Sequence, residues 1–297
     1  MKNSKQVTKS ILHSKNKHRE EYDFDKLIKN HPLLSSFVEK NKYGTLSIDF
    51  HNPEAVKSLN IALLKTFYKL TYWDFPKGYL CPPIPGRVDY IHYLADLLSE
   101  TKSSKRIKCL DIGTGANCIY PILGVTEYQW SFVASDIDTI SLESAQKIAS
   151  NNSILRDKIE FRHQENPKHI FQGIINKGDF FNVSICNPPF HKSKKMAESG
   201  THRKLRNLNN TDSYLPNFEG QNNELWCKGG EKMFIKNMIK ESSKFSKSVR
   251  WFTTLVSKQD HLNSFYDALK KVNATDVRTI NMAQGNKKSR ILAWTFA

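Results

Sequence analysis

Apolar residues recur at three- and four-residue steps in VKSLNIALLKTFYKLTY, where Val56, Leu59, Leu63, Leu64, Phe67 and Leu70 share one face. That period predicts an amphipathic helix inside a helically patterned segment spanning 22–72. The next stretch, WDFPKGYLCPPIPGR, is dense in proline and glycine and predicts an extended connector without helix. From Arg87 onward helical and strand patterns alternate. VDYIHYLADLLSE reads as a helix, IKCLDIG as a strand followed by a helix-compatible stretch, SFVASDI as a second strand and SLESAQKIASNN as a helix. KIEFRH is a third strand, HIFQGIINKG a short helix and FFNVSIC a fourth strand. After a loop of about 40 residues, which is long for a compact domain, come a helix in GGEKMFIKNMIKES, a strand in VRWFTTLV and a helix in QDHLNSFYDALKKV. TDVRTINMAQ and RILAWTFA, joined by GNKKS, predict a closing hairpin.

This alternation predicts an α/β fold: a doubly wound, Rossmann-like, mostly parallel seven-stranded sheet with a C-terminal antiparallel hairpin. Residues 1–20 are polar and basic and are expected to lack order. A helical N-terminal extension and connector follow at 21–80, and the sheet domain occupies 81–297. No apolar run approaches 18 residues, which excludes a spanning helix. The N-terminus has no apolar signal core, so a cytoplasmic protein is expected. The five cysteines have neither CxxC spacing nor a neighbouring His cluster; they read as buried small side chains, with no metal site and no disulfide framework.

Charge adds a partner. The formal net charge is +16, and it is concentrated. Lys2, Lys5, Lys9, Lys15, Lys17 and Arg19 precede the first acid. Lys192, Lys194, Lys195, Arg203, Lys204 and Arg206 follow the fourth strand with only Glu198 among them. Two such clusters point to a polyanion, most simply nucleic acid.

A doubly wound sheet binds ligands beyond the C-terminal ends of its strands. The first strand ends in Asp111-Ile112-Gly113-Thr114-Gly115-Ala116-Asn117, where two glycines allow close backbone approach. The third glycine of a dinucleotide fingerprint is replaced by Cys118, which favours a cofactor without phosphates. Asp136 ends the second strand and can accept from both ribose hydroxyls, while Asp138 suits the cap of the following helix. This pairing points to S-adenosylmethionine. The fourth strand ends in Asn187-Pro188-Pro189-Phe190. The Asn187 amide oxygen and the Pro188 carbonyl form a stiff pair of acceptors that matches the two hydrogens of a planar exocyclic amine. Phe190 can stack on the ring that carries the amine.

These residues resemble the bacterial 23S rRNA (adenine(1618)-N(6))-methyltransferase family and, more distantly, the eukaryotic U6 small nuclear RNA adenine-N6 methyltransferase. The resemblance runs through PGRVDYIHYLADLL, DIGTGANCIYPILG, SDID, CNPPFH, ELWCKGGEKMFIKNMI, WFTTLVS and MAQGNKKSRILAWTF. It implies a class I S-adenosylmethionine-dependent methyltransferase fold, with 23S rRNA or a large-subunit assembly intermediate as substrate. By that resemblance Asn187, Pro188, Pro189 and Phe190 are the catalytic tetrapeptide. Asp111, Gly113, Gly115 and Asn117 then form the cofactor loop, and Asp136 is the ribose-binding acid. Arg87 lies near the methionine carboxylate of the cofactor, and Asn166 supplies a further contact. An RNA-contacting N-terminal segment is implied as well. The basic loop 191–229, with Trp226, is expected to order over substrate RNA; a core position for Trp226 fits the sequence as well. Two other readings of the residues stay open: a protein glutamine N5-methyltransferase, whose acceptor is also a planar amide nitrogen, and a non-enzymatic ribosome-assembly protein that binds RNA.

Overall fold

The computed structural model describes residues 12–100, 106–189, 229–284 and 287–297. The N-terminal extension begins with helix α1 (Phe24–Asn30), capped by the Asp23 carboxylate, and a 3-10 turn (Pro32–Phe37). A two-stranded antiparallel hairpin follows, β1 (Val38–Lys40) and β2 (Leu46–Ile48), which helical patterning alone did not predict. Helix α2 (Pro53–Tyr68) starts where the Asn52 side chain accepts from the backbone N–H groups of Glu54 (3.0 Å) and Ala55 (3.4 Å). It stops at Lys69, which adopts a left-handed backbone.

The connector is less extended than its prolines predict. Helix α3 (Ile84–Ser99) begins inside it, with Pro85 in the first turn. A proline there loses no helical hydrogen bond, because the first N–H groups of a helix have no intrahelical acceptor. Arg87 therefore sits on a helix, anchored to the sheet domain.

The main sheet comprises β3 (Lys108–Ile112), β4 (Ser131–Asp136), β5 (Ile159–His163), β6 (Phe181–Cys186), β7 (Val249–Val256), β8 (Asp276–Gln284) and β9 (Lys287–Thr295). Their order is β5-β4-β3-β6-β7-β9-β8; β9 pairs antiparallel with both β7 and β8, and the other pairs are parallel. Helices α4 (Ile119–Tyr128), α5 (Thr139–Ser150), α6 (Gly230–Ser242) and α7 (Leu262–Lys271) connect the strands. The predicted seven-stranded sheet with an antiparallel hairpin is thus present.

Strand periodicity divides the core in two. Cys109, Val183, Ile185, Trp251 and Leu255 pack with α2, α3, α4 and α5. Their alternate neighbours Leu110, Ile112, Cys186, Phe252 and Val256 pack with α6 and α7. The N-terminal extension shares the first of these cores: Phe24, Leu27, Leu34 and Ile48 belong to the same cluster as the sheet. It is built onto the sheet domain and has no separate core of its own.

Two expectations need correction. Residues 12–20, expected to lack order, are packed against α2 and α3. The Asp89 carboxylate accepts from the His13 backbone N–H at 3.0 Å and from the Asn16 amide at 2.5 Å, and His18 is hydrogen-bonded to the Tyr68 hydroxyl at 2.8 Å. Polar composition misleads here because polar partners, not apolar contacts, hold the segment down. The helix expected at 169–178 is a series of turns. Glycines 173 and 178 have φ of +87° and +90°. The N–H groups of Ile170, Phe171 and Gln172, at 2.7–3.2 Å, are taken by the carboxylate of Glu241 on α6.

One packing feature yields a stability prediction. Gly124 in α4 faces the rings of Phe132 and Trp130, and a Cβ there would overlap the Phe132 ring, which is itself buried. A Gly124→Val substitution gains a few tenths of a kcal/mol in helix propensity but overpacks a closed core. The expected outcome is a loss of about 2–3 kcal/mol in urea unfolding.

Candidate active site

Three strand ends meet at one level. Ile112 pairs with Ser135 on one side and with Cys186 on the other. Gly113, Asp136 and Asn187 each stand one residue beyond these partners. The Ser135 carbonyl accepts from the N–H groups of Gly113 (2.9 Å) and Thr114 (3.0 Å), tying the glycine loop to β4. The chain leaves β3 outward to β4 on one side and later returns as β6 on the other, so this is the switch point of the sheet. A cavity of about 400 Å³ opens there, within the range of small-ligand sites.

The glycine loop is shaped for close approach. Gly113 and Gly115 have φ of +72° and +66°, a region costly for other residues. A Cβ built on Gly113 would meet no protein atom within 4 Å, so the loop fronts open space. The Gly115 N–H donates to Asp136 Oδ2 at 2.9 Å, and the Asp138 N–H donates to Asp136 Oδ1 at 3.0 Å. Burial raises the Asp136 carboxyl above its ordinary pKa. Asp138 caps α5 as expected, accepting from the Ser141 N–H (3.0 Å) and also from the Tyr79 hydroxyl (2.9 Å). The donor at the start of α4 is not left for a phosphate: the Ile119 N–H donates to the Asn117 side chain at 3.1 Å. The Asn117 amide also donates to the Leu80 carbonyl at 3.1 Å, and its own carbonyl accepts from the Trp73 indole at 2.8 Å. Asn117 thus lines the cavity and straps the connector over it.

The wall carries polar atoms that the fold leaves open. Arg87 donates through Nη1 to the Tyr120 hydroxyl at 2.8 Å, while its buried Nε has no partner among the described residues. Asn187 Oδ1 and Thr114 Oγ1 are likewise buried without a partner among those residues. A guanidinium N–H for a carboxylate, a ribose-binding acid, an open glycine cradle and a helix start that demands no anion together fit S-adenosylmethionine.

Asp111 stands behind the wall and not on it. It is fully buried, and neither carboxylate oxygen has a hydrogen-bond partner. Burial pushes its pKa up to about 7; Asp136 raises it further, and Thr114 and Arg87 pull it back. The folded protein therefore holds this proton more tightly than the unfolded chain. Between about pH 4 and 7 the group costs stability as pH rises, and the cost is complete above pH 7. Asp111→Asn cannot titrate, so its melting temperature should gain on wild type from pH 5 to pH 8. Thermal denaturation of the ligand-free proteins across that range checks this; a gap independent of pH would contradict it.

Other expected contacts differ in placement. Asn166 is exposed and caps its own turn, accepting from the Lys168 N–H at 3.0 Å. The wall in that stretch comes from Gln164, Pro167, His169 and Ile170. These and Tyr79 were not identified from sequence; they arrive through long-range folding, and no local pattern marks them. Phe190, Lys192, Lys194, Lys195, Arg203, Lys204, Arg206 and Trp226 lie outside the described residues. In the N-terminal cluster, Lys15 pairs with Asp96 (3.1 Å) and Lys17 with Glu127 (2.9 Å), so part of that charge is used within the fold. Cys81, Cys109, Cys118 and Cys186 are buried free thiols. Among the described residues no helix is long and apolar enough to cross a membrane.

Known proteins share this architecture and sequence. A family model described as RNA methyltransferase, Methyltransf_10, matches residues 6–297. Ribosomal RNA large subunit methyltransferase F of Cytophaga hutchinsonii is 54% identical over 305 residues, covering 99% of this chain and 94% of its own. The protein of the same name from Bacteroides thetaiotaomicron is 51% identical, with 97% and 98% covered. Among solved structures, the hMettl16 catalytic domain in complex with MAT2A 3'UTR hairpin 1 superimposes with a TM-score of 0.84 at 30% identity, covering 96% of each chain. The N-terminal domain of human METTL16 in complex with SAH gives 0.77 at 28% identity, covering 96% of this chain and 99% of its own. With half of its residues shared over nearly the whole length, this chain belongs to the ribosomal RNA large subunit methyltransferase F family of RNA methyltransferases.

Proposed function

We propose that this S-adenosylmethionine-dependent enzyme methylates N6 of an adenine in 23S rRNA in the cytoplasm, at the position that the family resemblance numbers 1618. The observation that carries the proposal is Asn187 Oδ1: a buried acceptor with no partner among the described residues, one residue past the end of β6 and beside the cofactor cavity.

When bound, S-adenosylmethionine supplies a methyl group on a positively charged sulfonium. The chain does the rest. Arg87 Nε, without a partner among the described residues, holds the methionine carboxylate, and the Nη1 hydrogen bond to Tyr120 fixes the guanidinium plane. Asp136 accepts from the ribose hydroxyls while its backbone partners keep it in place. Asn187 Oδ1 and the Pro188 carbonyl accept the two amine hydrogens. An exocyclic amine is a poor nucleophile because its lone pair is delocalised into the ring. Holding both hydrogens favours the localised lone pair and steadies the positive charge that grows on nitrogen during attack. The two prolines keep the acceptors rigid, as an in-line displacement requires. Phe190 provides the plane for the base, and the basic segments, including the N-terminal extension, hold the RNA backbone.

Mass spectrometry of rRNA from cells with and without the gene tests the proposal. The expected result is the loss of one N6-methyladenosine from 23S rRNA, restored by the wild-type gene and not by Asn187→Ala. Label from the cofactor appearing in protein and surviving RNase would instead point to a protein substrate.

A further inference from the structure

A second cavity lies between the Pro32–Phe37 turn, the start of α2 and the connector. Its volume is about 620 Å³, against about 400 Å³ for the cofactor cavity, and Tyr79 lines both. Phe37, Ile61 and Phe75 make its wall apolar and flat, and Leu33 stands there 72% exposed.

Two polar features of this groove have no use in the fold. Ser58 is part of the wall and only 5% exposed, yet its buried Oγ has no hydrogen-bond partner among the described residues. Lys77 is exposed on the same wall and makes no ion pair among the described residues. The nearby Lys57 differs: it is committed to Asp74 and to the Phe75 carbonyl at 3.0 Å, with its ammonium 4.5 Å from the centre of the Phe75 ring. A buried hydroxyl without a partner is costly, and here it sits in an apolar slot with an uncommitted cation at the edge. Aromatic faces, one polar atom and a cation match a base with its phosphate.

We propose that this groove receives one unpaired base of the substrate RNA, from a nucleotide flanking the methylated adenine. The Ser58 hydroxyl meets the edge of the base, Phe37 and Leu33 cover its face, and Lys77 takes the adjoining phosphate. Glu54, on the same wall, can accept from an exocyclic amine. The inference rests on the RNA reading above. An adenine must leave its stack to reach the cofactor cavity. Its neighbours then lose a stacking partner, and a groove that shares Tyr79 with that cavity is placed to replace it.

The test uses a 23S rRNA fragment spanning the adenine identified by mass spectrometry, with full-length protein and S-adenosylhomocysteine. Affinity is measured for wild type, Ser58→Ala and Leu33→Glu against the fragment and against copies made abasic at one flanking position each. Removing the base from one flanking nucleotide should weaken wild-type binding about five- to hundredfold. The same removal should cost Leu33→Glu little, because that variant has already lost the contact. Ser58→Ala should bind the intact fragment about three- to tenfold more weakly, with a melting temperature at or above that of the wild type, because deleting a buried hydroxyl without a partner costs the fold no hydrogen bond. If the wild type binds and methylates the fragment while both variants bind it equally well, the groove assignment is overturned, and a peptide or a segment of this chain becomes its occupant. If the wild type neither binds nor methylates the fragment, the substrate reading and the groove assignment both fail.

Discussion

Asn187→Ala will lower kcat for methyl transfer about 10²–10³-fold, the scale of one lost preorganised electrostatic contact, and will leave cofactor binding unchanged. The reason is the separation of duties at the site. In the proposed function the cofactor is held from β3, β4 and α3, through Gly113, Asp136 and Arg87, whereas Asn187, which follows β6 on the same cavity wall, faces the acceptor. A second readout distinguishes this role from a structural one. Asn187 Oδ1 is buried and has no partner among the described residues. Deleting an unsatisfied acceptor relieves a cost of about 1–3 kcal/mol, so the variant should melt at the wild-type temperature or above. Transfer of radiolabel to rRNA, calorimetric titration with S-adenosylhomocysteine and a melting curve together check the claim. A variant that loses transfer, cofactor binding and stability together would make Asn187 a folding residue.

Glu241→Ala is expected to destabilise the protein by about 3–5 kcal/mol. Its carboxylate, 8% exposed, accepts from three consecutive backbone N–H groups across about 70 residues of chain. Alanine would leave those three donors facing a void. Glu241→Gln keeps an acceptor oxygen but loses the charge that strengthens each bond, so an intermediate loss is expected. The turn that Glu241 holds continues into Pro167, His169 and Ile170 on the cofactor wall. Cofactor affinity should therefore fall in the same order, alanine below glutamine below wild type. Urea denaturation and calorimetry measure the two effects, and a stable alanine variant with normal cofactor affinity would refute the account.

The same turn shows where sequence reading stops. HIFQGIINKG has helical spacing, yet its N–H groups are claimed by a carboxylate far along the chain, an acceptor invisible to any local window. Tyr79 and Gln164 escaped notice for the same reason, since each reaches the cavity through tertiary contacts. Residues 12–20 looked disordered because they are almost wholly polar and basic; Asn16 and His18 are buried all the same, through Asp89 and Tyr68. The first turn of the helix that starts at Ile84 was hidden by prolines that are harmless there. The central strands β3, β4, β6 and β7 were legible because each is a short apolar run bounded by turn residues, and burial on both faces leaves such runs little choice. The relation between the glycine loop, Asp136 and Asn187 was legible as well. A parallel sheet of this topology brings the ends of its first, second and fourth strands together whatever the loops contain.

That last relation bears on descent. The rung joining Ile112 to Cys186 fixes donor and acceptor halves of the reaction to one another by main-chain hydrogen bonds, which no side-chain change can retune. The surfaces proposed to choose an RNA belong to loops and to the N-terminal extension, outside that rung. Mutation can rework them without misaligning the methyl group. A protein 30% identical to this one, with the same fold, has been captured on a hairpin from an mRNA untranslated region. One chemical mount can thus outlive successive choices of substrate, and new specificities in this family are to be sought in the periphery and not in the sheet.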